Sequence, residues 1–324
     1  MPAESISLDL PSEVLLTFCK ASADSLRLNI LRLLKDDSFG VLELCHILDT
    51  AQSGMSHHLK ILSSAELLET RKEGTSVFYR RAILSASGPL ADFKQSFFRS
   101  IDRVQLDSGI VKRKAKVCSD RGYQSQDFFS RNAEKLQQNQ DLIASYSNYS
   151  GCLENLIDNE QIPATSQVME IGPGGCSLLA KLSTSFQSVL AVDNSSLMLD
   201  KTRALASSRN LNNIKYLESS IDQLSPETKT DLLVMNMVLH HLPSPAASLE
   251  IAGTLLTDQG RLLLIDLCPH HQDWARTTCG DLWLGFEPED LDNWAENAGL
   301  YRGQSAFLGL RNGFQVQLRI FNKA

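Results

Sequence analysis

No two cysteines in this 324-residue chain stand at Cys-x-x-Cys spacing. Its seven cysteines (Cys19, Cys45, Cys118, Cys152, Cys176, Cys268, Cys279) are odd in number and widely scattered. Neither a disulfide framework nor a zinc finger is indicated, and the simplest location is a reducing cytoplasm. No apolar run approaches the roughly 20 residues a membrane helix needs, so no membrane partner is expected. Residues 1–5 show no basic segment leading into an apolar core, which speaks against a secretory signal. Internal repeats and low-complexity tracts are also missing. Hydrophobic residues make up 43% and charged residues 21%, which excludes disordered and collagen-like classes.

A strong positive charge is missing too. The net charge is −7, with 12 Lys+Arg against 20 Asp+Glu in residues 151–324. That balance argues against bulk coating of nucleic acid, but a small basic reading head remains compatible with it. At about 100–200 residues per domain the length suggests two domains. The pattern divides the chain into a head (1–90), a helical and polar linker (91–160) and a body (161–324) of alternating strand-like and helical runs. The linker's basic run Val111-Lys112-Arg113-Lys114-Ala115-Lys116 reads as a solvated helix face or as a phosphate contact.

In the head, Asp24 is placed to cap a helix through Leu34, and Val41 to Leu48 makes a second. Gln52 opens a third, with Met55, Leu59 and Leu62 at i, i+4, i+7 facing inward. Gln52, Ser53, Ser56, His57 and Lys60 face out, as short polar groups suited to base edges and phosphates. His58 is expected partly buried beside the following ribbon. That ribbon has two β-prone runs around Glu73-Gly74 and carries Arg71, Lys72, Arg80 and Arg81. Helix-turn-helix followed by a basic hairpin is a winged helix. Residues 20–82 resemble the ArsR/SmtB family of winged-helix repressors, through Ser56-His57-His58-Leu59-Lys60-Ile61-Leu62 and through Arg71-Lys72-Glu73-Gly74 with Phe78-Tyr79-Arg80. The resemblance implies a homodimer on double-stranded operator DNA, contacted by Gln52, Ser53, Ser56, His57, Lys60, Arg71, Lys72 and Arg80. Gly40 and Leu42 replace the Cys-x-Cys of the family's metal sensors and Cys45 stands alone, so no metal is expected. A winged helix used only for dimerisation or protein contact stays open.

In the body, Gln167-Val168-Met169-Glu170-Ile171 reads as a buried strand. It runs into Gly172-Pro173-Gly174-Gly175-Cys176-Ser177 and then a helix, a nucleotide-binding arrangement. The next strand ends at Asp193, where an acid can grip a ribose diol. Further runs are Asp231-Leu232-Leu233-Val234-Met235-Asn236, Leu239-His240-His241-Leu242 and Gly260-Arg261-Leu262-Leu263-Leu264-Ile265-Asp266. Together these resemble the class I S-adenosylmethionine-dependent methyltransferases. The resemblance implies that Gly172 and Gly174 approach the methionine part of the ligand, that Glu170 organises its amino group, and that Asp193 holds its ribose. Ser220 and Ile221 would stand at the adenine, with Asp222 nearby, and Asn236 would complete the set. Two positions depart from the family: Cys176 at the third glycine and Ser220 at the adenine acid. His240 and His241 are the candidates for a general base, or simply a strand-end pair lining the cavity. Trp283 and Phe286 line a pocket or belong to the core; helix packing is the safer expectation for Phe128, Phe129, Tyr146 and Tyr149, with ligand contact open for the two tyrosines.

The expected fold is thus multidomain: an α+β winged helix-turn-helix, a helical linker and an α/β Rossmann-like class I methyltransferase. The fused pair resembles bacterial regulators associated with methionine and S-adenosylmethionine metabolism. That resemblance implies a dimeric repressor with S-adenosylhomocysteine or S-adenosylmethionine as effector. The rival expectation is an active methyltransferase of a small molecule, its winged helix serving autoregulation or dimerisation.

Overall fold

The computed structural model describes residues 12–73, 76–84, 90–175 and 177–324. The expectations about residues 1–5, about Gly74 in the ribbon turn and about Cys176 in the glycine loop lie outside these. The chain divides into two units, Met1–Cys118 and Ser119–Ala324. Among the described residues no helix is long and apolar enough to cross a membrane.

The first unit runs α1 (Ser12–Ser22), α2 (Ser25–Leu33), β1 (Phe39–Gly40), α3 (Val41–Leu48), α4 (Gln52–Ser64), β2 (Leu68–Glu73), β3 (Ser76–Arg81), α5 (Ala91–Ile101) and the beginning of α6 (Ser108–Asn132). Two side chains fix how α2 starts. Asp24 accepts a hydrogen bond from the Arg27 N–H at 3.0 Å, a helix cap. Arg27 in turn donates to the carbonyls of Ala21 (2.7 Å) and Lys20 (2.8 Å), groups that the end of α1 leaves unpaired. Ile30 and Leu33 of α2, Leu44 and Ile47 of α3, and Met55, Leu59 and Leu62 of α4 form one buried core. Each contributes about 1.5–3 kcal/mol by leaving water. The strands pair in the order β1-β3-β2, all antiparallel, with Glu69 opposite Arg80.

The second unit holds the rest of α6, then α7 (Leu136–Ala144), α8 (Tyr146–Asn159), β4 (Gln167–Ile171), α9 (Ser177–Ser185), β5 (Ser188–Asp193), α10 (Ser196–Ser208), β6 (Ile214–Glu218) and β7 (Thr230–Asn236). It continues through α11 (Pro245–Leu255), β8 (Leu256–Leu267), α12 (Trp274–Thr278), α13 (Pro288–Asn297), β9 (Leu300–Gly309) and β10 (Gln315–Lys323). The sheet order is β6-β5-β4-β7-β8-β10-β9. From β6 to β8 the strands are parallel, while β10 is antiparallel to both of its neighbours. The alternation of strand-like and helical runs in the sequence points to a parallel sheet, and β10 adds an antiparallel strand to it. The short turn between β9 and β10 explains the difference, since a parallel return would need a long crossover. The chain leaves β4 towards β5 and β6, then crosses back to lay β7 on the other side of β4. At such a reversal the carboxyl ends of the two strands open a crevice.

Asp24→Ala should lower the stability of the first unit by about 1 kcal/mol, while Asp24→Asn, which keeps a capping oxygen, should lower it less. Urea unfolding followed by helical circular dichroism reads both. Equal losses for the two variants would show that the cap is not what Asp24 contributes.

Candidate functional site

α3 ends on Asp49 in the left-handed region (φ 51°). The chain turns through Thr50, whose N–H donates to the Cys45 carbonyl at 3.0 Å, and α4 begins. Met55, Leu59 and Leu62 are buried, and Gln52, Ser53, Ser56, His57 and Lys60 are exposed along the opposite face. His58 is partly buried, as expected. Its Nδ1 lies 3.3 Å from the Arg27 guanidinium and 3.7 Å from Asp24, so it packs on the start of α2. On the ribbon, Lys72 is exposed and Arg71 half-buried. Arg80 is bound to its cross-strand partner Glu69 at 2.7 and 2.9 Å, and Arg81 makes a two-pronged pair with Asp102 at 2.6 and 3.0 Å. Arg80 therefore offers less to a phosphate than its sequence position suggests.

In the second unit, β4 runs into a glycine loop whose backbone demands glycine. Gly172 has φ 65°, and a Cβ there would lie 2.7 Å from the Val238 side chain. Gly174 has φ 48°, and the Thr202 hydroxyl of α10 holds its carbonyl at 3.1 Å. A Cβ on Gly175 would strike the Gln137 carboxamide of α7. Gly172, Gly174, Asn236 and His240 line one cavity, together with Tyr146 and Tyr149 of α8. The tyrosines are thus more than helix packing. Tyr149 donates its hydroxyl to Asn236 Oδ1 at 3.1 Å, and the buried Tyr146 hydroxyl has no hydrogen-bond partner.

Glu170, Asp193, Ser220 and Ile221 do not line that cavity. Glu170 lies on β4 just before the loop, 1% exposed, and its Oε2 has no hydrogen-bond partner. Burial pushes its carboxyl up to about 8. Asp193 ends β5 and accepts from the Ser195 N–H at 2.9 Å. Burial pushes its carboxyl up to about 6 against the pull of that hydrogen bond. Ser220 precedes a 3-10 turn, Ile221–Gln223, in which Ile221 is buried and Asp222 exposed. Trp283 and Phe286 are buried; Trp283 donates to the Leu242 carbonyl at 2.8 Å and Phe286 packs edge-on to Trp294 at 5.6 Å.

His240 and His241 sit on a 3-10 turn, Leu239–His241, just past β7. His240 Nδ1 is 2.8 Å from Asp266 Oδ1, and its Nε2 is 3.7 Å from Asp281 Oδ1. Burial opposes a charge on His240, but the two aspartates outweigh it and raise the imidazole to about 9. At neutral pH His240 is therefore a hydrogen-bond donor and acid, and it can act as a base only after giving up that proton. Burial and the neighbouring His240 cation hold His241 well below its usual value. Its Nδ1 faces the Gly280 carbonyl at 3.2 Å, and its ring meets Phe129 edge-on at 4.7 Å. His240, His241 and Asp281 also bring potential metal-ligand atoms within 4.8 Å of one another. Sequence reasoning missed Asp281, which no local pattern joins to the histidines.

A family profile described as a methyltransferase domain matches residues 120–302, and one described as a helix-turn-helix domain matches residues 23–71. Transcriptional activator HlyU of Vibrio cholerae is 45% identical over 60 residues, 18% of this chain and 56% of that protein. Carboxy-S-adenosyl-L-methionine synthase of Dichelobacter nodosus is 34% identical over 111 residues, 32% of this chain and 46% of that protein. The chain thus spans about half the length of each of these curated relatives. The solved structure of the [4+2]-cyclase SpnF superposes with a TM-score of 0.51 at 11% identity, over 61% of this chain and 94% of that one. At that identity the likeness is one of fold.

Glu170→Gln keeps the side chain's shape and removes its titration. A raised carboxyl holds a proton in the native state that the unfolded chain has released, so its stabilisation is present below the ordinary glutamate range and is lost as pH rises towards 8. Urea unfolding at about pH 5 and about pH 8.5 should show the difference between the two proteins moving in favour of the Gln variant at the higher pH. A difference independent of pH would remove the buried, protonated carboxyl.

Proposed function

The chain belongs to the methyltransferase-domain family and carries an ArsR-type helix-turn-helix domain ahead of it, and from that premise we propose that it is a DNA-binding transcriptional regulator, a dimeric repressor, with S-adenosylhomocysteine or S-adenosylmethionine as effector. One observation carries the reading. A single chain presents an exposed polar face on α4 and, in its methyltransferase domain, a glycine-loop cavity beside a buried carboxylate that lacks a hydrogen-bond partner. The α4 face supplies Gln52, Ser53, Ser56, His57 and Lys60 to a major groove, with Lys72, Arg71 and, less freely, Arg80 at the flanking phosphates. The dimer is supported by apolar side chains that stay exposed on α1 and α5, Leu15, Leu16 and Phe93 among them.

The residues present fit an adenosyl ligand. Positive φ at Gly172 and Gly174 keeps side chains off the loop, so a ligand can approach the backbone. Glu170 Oε2 is an acceptor in want of a donor, and the Tyr146 hydroxyl is a buried polar group in the same position. An ammonium group brought near Glu170 would draw the proton off its carboxyl. Asp193 at the end of β5 would accept from the ribose hydroxyls, with Ser220, Ile221 and Asn236 around the rest. S-Adenosylmethionine would supply an electrophilic methyl group, whereas S-adenosylhomocysteine supplies recognition only. As an effector, either must prefer one state of the regulator, since equal affinity for both shifts nothing.

The second reading, an active methyltransferase of a small molecule, rests on His240. Its imidazolium, fixed by Asp266, lines the cavity and could hold a hydrogen-bond-accepting substrate.

Calorimetric titration with each adenosyl compound should give saturable binding, weakened about tenfold or more in Asp193→Ala through loss of charge-assisted hydrogen bonds. Lys60→Ala should leave that binding unchanged while weakening promoter DNA across sequences and lowering the salt slope by about 1. Unchanged ligand affinity in the Asp193 variant would overturn the ribose assignment. Methyl transfer to an acceptor with no effect of ligand on DNA would favour the second reading.

A further inference from the structure

We infer that His240, His241 and Asp281 form a binding site for a divalent transition-metal ion of the zinc class, on the wall of the methyltransferase-domain cavity. The inference is independent of the adenosyl ligand. No metal was expected, because the cysteines are scattered. The ligand atoms here are imidazole nitrogens and a carboxylate drawn from segments far apart in sequence.

The geometry is that of a coordination shell slightly expanded. His240 Nε2 lies 3.7 Å and His241 Nδ1 3.8 Å from the same oxygen, Asp281 Oδ1. The Gly280 carbonyl oxygen lies 3.2 Å from His241 Nδ1, which donates its N–H there and must give up that proton to the solvent, or pass it to Nε2, before Nδ1 can ligate. Around a tetrahedral ion with bonds of about 2.0–2.1 Å, neighbouring ligand atoms stand roughly 3.3–3.5 Å apart. Both contacts to Asp281 are within a few tenths of an ångström of that spacing, and all three ligand atoms lie within 4.8 Å of one another, so side-chain movement closes the shell. All three side chains are buried, at 2%, 6% and 3% exposure, so little water competes for them.

The surrounding contacts are those a metal site needs. Asp266, fully buried, takes the His240 Nδ1–H at 2.8 Å. In the neutral ring this puts the lone pair on Nε2, towards Asp281, the carboxylate–histidine–metal arrangement. Asp266 is itself held, accepting from the Leu267 N–H at 2.7 Å and the His240 N–H at 3.3 Å. The 3-10 turn and the segment after α12 are tied together, the Leu282 and Trp283 N–H groups donating to the His240 carbonyl at 3.0 and 3.1 Å. Gly280, at φ 81°, makes the turn that brings Asp281 in. Two imidazoles and a carboxylate suit zinc, cobalt or nickel better than calcium or magnesium, which prefer oxygen-only shells. His240 and Asp281 both face the cavity, so the ion keeps a position open there for water or for an oxygen or nitrogen of a bound molecule.

The test is titration of the purified full chain with cobalt(II) chloride, followed by the visible ligand-field bands of four- or five-coordinate cobalt. The expected result is one strong equivalent per chain, displaced by zinc(II) and lost in Asp281→Asn. Asp266→Asn removes no ligand and should weaken the ion about 10–100-fold, which separates positioning from collapse of the fold. His270→Gln should bind as the wild type does, and circular dichroism checks that each variant folds. Absence of a strong equivalent in the wild type would overturn the site. So would a cobalt–thiolate charge-transfer band, or a stoichiometry that Asp281→Asn leaves unchanged.

Discussion

A carboxylate that cannot reach water organises the second unit. Glu170 lies on β4, and β4 has a parallel neighbour on each side, so the backbone around it is fully used by the sheet. The residues beside it on the strand, Val168, Met169 and Ile171, are buried, as a two-faced parallel strand requires. Glu170 is the exception, and keeping a charge there would cost more than the fold can spare, so the group holds its proton. The glycine loop begins two residues later. An acid with no partner, placed where the chain opens a crevice, makes structural sense if something else supplies the donor.

The same logic of neighbours separates two adjacent histidines. His240 meets two aspartates and is charged; His241 meets a carbonyl, an aromatic edge and the charge of His240, and is neutral. Nothing in the dipeptide itself distinguishes them. The electrostatics come from β8, which carries Asp266, and from the turn at Gly280, which carries Asp281. His240 and Asp281 on the cavity wall, backed by the neutral His241 and the buried Asp266, are a costly piece of construction. Perturbed groups gathered beside a cavity in this way make it a candidate site for a ligand or an ion.

What was legible in the sequence was local. Asp24 capped its helix, the Val41-to-Leu48 helix has those bounds, and Met55, Leu59 and Leu62 turned inward because a 3.6-residue period leaves little choice. The glycine loop and the strand ending at Asp193 were equally plain, since strand, glycine turn and helix follow one another directly. The illegible parts depend on distant partners. Arg80 reads as a DNA contact from the sequence, and only the register shows that Glu69 stands opposite it. Tyr146 and Tyr149 read as helix packing or ligand contact, and only laying α8 beside the loop decides for the cavity. The place of His58 beside Arg27, the antiparallel end of the sheet and the convergence of Asp281 on the histidines are likewise products of tertiary assembly.

The proposed regulator couples an adenosyl ligand to an operator within one chain. The most direct measurement is the fluorescence anisotropy of labelled promoter DNA titrated with the full chain, at fixed salt, alone and with saturating S-adenosylhomocysteine or S-adenosylmethionine. One of the two should shift the DNA midpoint by about 5- to 150-fold, a coupling of about 1–3 kcal/mol. Superimposable curves, with both ligands shown to be bound, would contradict it.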